Sequence, residues 1–292
     1  MKKTIRFVII PKVAHPWFEE VNQGARTQAE ILSRELGVSI VVDYMPPAFA
    51  DTEEQKSILE KARVSRPDGI ALDPVDALDN MGVINSIKND GIPLVLFDSP
   101  SPDKSITCIG TNFARQGIIA VERFLELINC TGKVAVMQGY PTAPNHKERY
   151  EAELSILKKN PNITIVDGGI DNDDIETAFQ QATAVISSNP DLSGYLCCDA
   201  SGPIGIAKAV KAAGKTGEIK IVAMDGIRPI LNYIKEGVIE FSSASIPKMQ
   251  GSMSILMLWQ ASLGVQIPPF IDTGVVLITQ ENIDRYLADA GG

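Results

Sequence analysis

The chain has few of the residues on which most catalytic and metal sites are built: two histidines and four cysteines among 292 residues. The cysteines (Cys108, Cys130, Cys197 and Cys198) show no metal-ligand spacing. Cys197 and Cys198 are neighbours in an apolar run, which sends their side chains to opposite faces of a strand and suits small buried hydrophobes. A Cys108–Cys130 bridge would have to bracket a whole helix and is not expected. Neither a Gly-x-Ser-x-Gly nor a His-Glu-x-x-His motif occurs. No combination of nucleophile, base and oxyanion hole can be assembled, so the chain reads as a non-enzyme. There is no Lys/Arg block, and a net charge of −9 makes nucleic acid and anionic membranes poor partners. No apolar stretch approaches the ~18 residues of a membrane span.

What is present is a strict alternation of strand and helix signals. Strands are expected at Thr4–Ile10, Ser39–Tyr44, Gly69–Leu72, Pro93–Phe97 and Ile106–Gly110. Helices fall between them near Trp17–Leu36, Glu53–Arg66, Ala77–Asp90 and Asn112–Asn129. The rhythm then restarts, with strands near Lys133–Gln138, Thr164–Val166, Gly194–Cys198, Lys220–Met224 and Glu240–Ser245. Gly91, Gly132, Gly214 and Gly237 stand where helices should end. Such alternation demands mostly parallel sheets with helices on both faces. The break at Pro100–Thr111 favours two doubly wound lobes, with a (β/α)₈ barrel as the alternative.

Four of the apolar runs stop on an aspartate: Asp73, Asp98, Asp199 and Asp225. In open α/β sheets ligands bind beyond the carboxyl ends of the strands, so these carboxylates mark the rim of a site. Carboxylates accept two-handed hydrogen bonds and suit a ligand rich in hydroxyl or amine donors. The competing role for each is to cap the following helix. Asp73, followed by Pro74, reads as a turn residue. His15-Pro16-Trp17-Phe18 lies at the same edge, between the first strand and first helix. It offers aromatic faces that could stack on a sugar ring, or a hydrophobic staple.

Two motifs are decoys. Gly214-Lys215-Thr216 has Ala209 where a P-loop needs glycine, and it follows a helix. Asp171-Asn172-Asp173-Asp174 begins like a calcium loop but continues Ile175-Glu176, which fits a helix N-cap.

Strand–His15-Pro16-Trp17-Phe18, Phe97-Asp98-Ser99, Gly110-Thr111-Asn112, Gln138-Gly139, Glu148-Arg149, Asn189-Pro190-Asp191 and Met224-Asp225-Gly226 occur in order across essentially the whole chain. In this the sequence resembles the ribose-type periplasmic sugar-binding proteins. The resemblance implies two parallel-sheet lobes joined by three crossovers: residues 1–110 with 247–272, and 111–246 with 273–292. It also implies a monomer without cofactor or metal, which closes over a monosaccharide or polyol in the interlobe cleft and delivers it to an ABC transporter permease. The location would be periplasmic, with a leader removed ahead of residue 1.

Carried over, the first lobe would offer His15 as a polar contact, Trp17 and Phe18 as stacking faces, and Asp98 as acceptor, with Ser99 where ribose-binding members have arginine. The second would offer Arg149 as donor, Asp173 (or Asn172) in place of an aromatic, Asp199 in place of asparagine, and Asp225 as acceptor. Ser245 stands where glutamine is usual. Ile10-Pro11-Lys12 and Asp98-Ser99 are similar to the autoinducer-2-binding branch, in which that lysine, here Lys12, contacts the ligand. One basic residue is lost and acids are gained, so the implied ligand is not ribose but a polyol, a hydroxyl-rich pentose or an amino sugar. Lactose-repressor-type regulators share the fold and supply a competing reading, a ligand-sensing core.

Overall fold

A computed structural model describes residues 4–289. In chain order the first elements are β1 (Thr4–Ile10), α1 (Pro16–Leu36), β2 (Ser39–Tyr44), α2 (Thr52–Val64), β3 (Gly69–Leu72), α3 (Met81–Asn89), β4 (Leu94–Phe97) and β5 (Cys108–Gly110). They are followed by α4 (Phe113–Leu127), β6 (Gly132–Gln138), α5 (Pro144–Leu157), β7 (Ile163–Ile170), α6 (Ile175–Ser188), β8 (Leu192–Cys197), α7 (Gly202–Ala212), β9 (Lys220–Met224), α8 (Arg228–Lys235) and β10 (Phe241–Ala244). The chain continues through α9 (Pro247–Ser262), β11 (Phe270–Asp272), β12 (Val276–Thr279) and α10 (Ile283–Asp289). Among the described residues no helix is long and apolar enough to cross a membrane.

The chain divides into two compact units. One runs up to Thr111 and takes in Ile246–Gly274; the other is Asn112–Ser245 with the chain from Val275 on. Each has its own six-stranded sheet, which excludes a single barrel. The first sheet has the order β11-β5-β4-β3-β1-β2 and is parallel throughout. The second has the order β12-β10-β9-β8-β6-β7, with only β12 antiparallel.

Both faces of each sheet are covered, which is why the strands read as unbroken apolar runs. In β1, Phe7 and Ile9 enter one cluster with Val21 and Ala25 of α1 and Leu258 of α9. Val8 and Ile10 enter the opposite cluster with Leu59 of α2 and Ile84 and Ile87 of α3. The second unit repeats the scheme. Val134 and Val136 of β6 pack with Val121 and Phe124 of α4, while Ala135 and Met137 pack with Ala178, Ala207 and Ile230 of α6, α7 and α8.

Helix α9 returns to the first unit through a glycine contact. A Cβ at Gly24 would fall 2.0 Å from the Lys248 carbonyl oxygen, and one at Gly251 would fall 1.9 Å from that of Val21. Only glycine allows the α1 and α9 backbones to approach so closely.

Three local expectations are corrected. The helix expected from Ala77 starts at Met81, because Asp76 Oδ1 accepts the Leu78 and Asp79 amides and holds a turn. Gly132 opens β6 rather than ending a helix, at φ 127°. Strands β11 and β12 have no counterpart in the sequence reading.

Candidate functional site

In the first unit the strand ends gather a charged cluster. Lys12, two residues beyond β1, reaches Asp73 Oδ1 and Asp98 Oδ2, both at 3.4 Å, and donates to Ser99 Oγ at 2.5 Å. Asp73 is fully buried; its Oδ1 also accepts the Ser99 amide at 3.2 Å, and its Oδ2 has no hydrogen-bond partner. Burial pushes the Asp73 carboxyl up to about 8 against the pull of Lys12, and the Asp98 charge adds to the rise. Burial works to lower the Lys12 ammonium, but the attraction of Asp73 and Asp98 outweighs it and the net shift is upward. Asp73, which the sequence suggested to be a turn residue, is therefore the buried centre of this cluster.

Gln55 of α2 fixes the loops that carry these groups. Its amide donates to the carbonyls of Pro11 (2.9 Å) and Asp73 (2.8 Å), and its oxygen accepts from Val75 and Asn80. A glutamine in an amphipathic helix carries no sequence signal for that role.

The aromatic segment divides its duties. His15 caps α1, its Nδ1 accepting the Trp17 amide at 3.1 Å. Phe18 is buried edge-to-face between Trp17 (5.0 Å) and Phe97 (6.3 Å), so it is a core residue that seats its neighbours. Trp17 remains partly exposed.

In the second unit Asp225 follows β9 as Asp98 follows β4, and both residues are in the left-handed backbone region, at φ 64° and 54°. Aspartate tolerates that conformation better than most residues. Ser245 donates its hydroxyl to Asp225 Oδ1 at 2.6 Å. Arg149 of α5 is buried; it donates to Gln116 Oε1 (2.9 Å) and to the Cys198 carbonyl (3.3 Å), and lies 4.9 Å from the Phe113 ring centre. Gln116 is itself held by the Ser243 carbonyl at 2.7 Å. These contacts fix the plane of the guanidinium.

Asp199 accepts the Gly202 amide at 2.8 Å at the start of α7. The residue buried against it is Asp171, whereas Asp173 is exposed and gives its amide to Asp171 Oδ1 at 2.9 Å. Burial first, then the neighbouring Asp171 and Asp173 charges, hold the Asp199 carboxyl well above its ordinary range. Asp171 is also raised, chiefly by burial. The two carboxyls therefore share a proton. The cap signal in Asp171–Asp174 is genuine, since Asp174 accepts the Thr177 amide, and it hid the buried aspartate three residues earlier. Among the described residues no group of His, Cys, Asp or Glu is arranged to hold a metal ion.

The arrangement can orient a polar ligand by fixed acceptors and donors. A family model described as a periplasmic binding protein domain matches residues 6–265. A D-ribose/D-allose-binding protein of Pseudomonas aeruginosa is 26% identical over 278 residues, covering 92% of this chain and 85% of the relative. A sugar-binding protein of a sugar ABC transporter from Bacillus halodurans is 28% identical, with a TM-score of 0.88 over 97% of this chain and 100% of that one. An ABC transporter solute-binding protein from Burkholderia graminis, solved with D-arabinose, is 27% identical, with a TM-score of 0.88 over 97% and 98% of the two chains.

Proposed function

The chain belongs to the periplasmic binding protein family, and on that premise we propose that it is the solute-binding component of an ABC importer, taking a monosaccharide or sugar alcohol. The observation that carries this reading is the placement of buried carboxylates at the carboxyl ends of parallel strands in each unit: Asp98 on Lys12 in one, Asp225 on Ser245 in the other. Fixed acceptors suit vicinal hydroxyls, and the Arg149 guanidinium supplies a fixed donor. Trp17, half-exposed in the first unit, offers a face for the C–H side of a ring. The relatives named as binding ribose, allose and arabinose support the same ligand class.

In this reading the protein carries out no chemistry. It works as a periplasmic monomer and hands its ligand to the transporter's permease. Lys12 beside Asp98 and Ser99 favours autoinducer-2, itself a polyhydroxylated furanose, as a second ligand to test.

A thermal-shift screen over pentoses, hexoses, polyols and autoinducer-2 tests the reading. Ligand at 100 times its Kd stabilises by about 2.7 kcal/mol, which shifts Tm by several degrees. Asp98→Ala and Asp225→Ala should each weaken binding tenfold or more, since charge-assisted hydrogen bonds contribute roughly 1.5–3 kcal/mol. Silence across the panel, or unchanged affinity in both variants, would overturn it.

A further inference from the structure

The two sheets repeat one order, so their strand ends can be compared position by position within each unit. Lys12 lies two residues beyond β1 and supplies a cation to Asp73 and Asp98. The equivalent place in the other unit, two residues beyond β6, is Tyr140, which is exposed. Asp199 lies two residues beyond β8, one place further than Asp73 beyond β3, and it is buried with Asp171, yet among the described residues neither forms an ion pair with a lysine or arginine.

The neighbouring basic groups are otherwise engaged. Arg149 is held by the Gln116 side chain and the Cys198 carbonyl, and His146 Nδ1 accepts the Tyr140 amide at 2.9 Å. In each carboxyl one oxygen takes a backbone N–H, Gly202 for Asp199 and Asp173 for Asp171. The other, Oδ2, is buried without a hydrogen-bond partner. Glycine keeps side chains away from both. A Cβ at Gly139 would stand 2.5 Å from Asp199 Oδ2 and 2.5 Å from His146 Nδ1, and one at Gly202 would stand 2.7 Å from Asp171 Oδ2. The pair is held by the one proton the two carboxyls share and, among the described residues, by no cation, which leaves it short of donors in a buried setting.

Building on the sugar-binding reading, we infer that the ligand carries a protonated amine, as an amino sugar or amino polyol, and that its ammonium sits on Asp171 and Asp199 as Lys12 sits on Asp73 and Asp98. An ammonium brings three donors and no acceptor, where the shared proton supplies a single donor to the pair. When it binds, its positive charge weakens the pair's hold on the shared proton, part of which passes to solvent.

The test is isothermal titration of the full chain at pH 7 with D-glucosamine, D-galactosamine and D-mannosamine. Their parent hexoses, their N-acetyl derivatives, D-ribose and D-allose are run alongside. Titrations are repeated in buffers of different ionisation enthalpy, which reads proton release. The inference expects an amine to bind at least tenfold tighter than both its parent and its N-acetyl form, with net proton release. It also expects the preference to vanish in Asp171→Asn/Asp199→Asn, a variant that keeps size and the backbone caps and whose fold is checked by its unliganded melting curve. Equal or tighter binding of the neutral parents overturns the amine inference and leaves the sugar reading standing, as does an amine preference that survives the double variant. Failure of every sugar, charged or neutral, overturns both.

Discussion

Replacing Asp73 by asparagine separates the burial of this carboxyl from its charge. Asn keeps the oxygen that accepts the Ser99 amide, and it leaves Lys12 to Asp98 and the Ser99 hydroxyl. The Asp73 carboxyl is fully buried, and burial lifts it from the ordinary 3.8 to about 8. The sign follows from which state holds the proton. The folded form keeps it up to about pH 8, whereas the unfolded chain gives it up near pH 4. Stability from this group is therefore complete below pH 4 and is lost as pH rises through 8. Between pH 5 and 7 the loss is about 1.4 kcal/mol per pH unit, or roughly 3 kcal/mol in all. Asparagine has no such slope. Both tryptophans, Trp17 and Trp259, belong to the first unit, so urea unfolding followed by tryptophan fluorescence reads this unit alone. The expected result is a difference in unfolding free energy, wild type minus Asp73→Asn, that falls by about 3 kcal/mol from pH 5 to pH 7. A difference that stays flat would mean that Asp73 is already ionised at pH 5 and that the attraction of Lys12 exceeds the cost of burial.

Gly24→Ala places a methyl 2.0 Å from the Lys248 carbonyl; separating α1 from α9 should cost roughly 1–3 kcal/mol, seen as a lowered midpoint in the same fluorescence assay. Arg149→Lys removes the bond to Gln116 and the stack on Phe113. Because an ammonium cannot replace a planar fork, calorimetry should show sugar affinity falling about tenfold, and the buried Gln116 oxygen left without its donor should lower stability by roughly 1–3 kcal/mol, seen in the melting curve. Cys108, Cys197 and Cys198 are buried and Cys130 is exposed, and burial raises the Cys197 and Cys198 thiols well above their ordinary range. A thiol reagent should therefore modify one cysteine per native chain rapidly, and all four only on unfolding.

The fold was legible where burial is two-sided. Runs such as Ile221–Met224 are apolar at every position because helices cover both faces of the sheet, and the expected pair of doubly wound lobes follows from their alternation with helices. Strands β11 and β12 left no such trace. Phe270 and Leu277 are exposed, and both strands lie at sheet edges where one side needs no apolar run. The candidate site was legible where it coincides with strand ends. What sequence alone could not supply was long-range pairing. Asp73 looked like a turn residue because nothing local shows Lys12 beside it, and Asp171 looked like part of a cap because nothing local shows Asp199 beneath it. Gln55 gave no signal because its partners lie in two loops remote from its helix.

Asp98 and Asp225 show why these positions hold aspartate rather than glycine. Each follows the fourth strand of its sheet in the left-handed conformation, which costs a non-glycine residue about 1–3 kcal/mol. If the turn were the only requirement, glycine would meet it without that cost. The strain is retained at both equivalent positions together with a side chain whose carboxylate is engaged locally, by Lys12 in one unit and by the Ser245 hydroxyl in the other. The two units thus keep the same strained acceptor and differ in what balances it. A lysine brings a full charge and fixes the first cluster near neutrality. A serine brings a hydroxyl only, and with Asp171 and Asp199 close in sequence order to the same sheet edge, the second unit is left with more acceptors than its own side chains satisfy. A donor-rich ligand, as proposed above, would supply what the side chains of that unit do not.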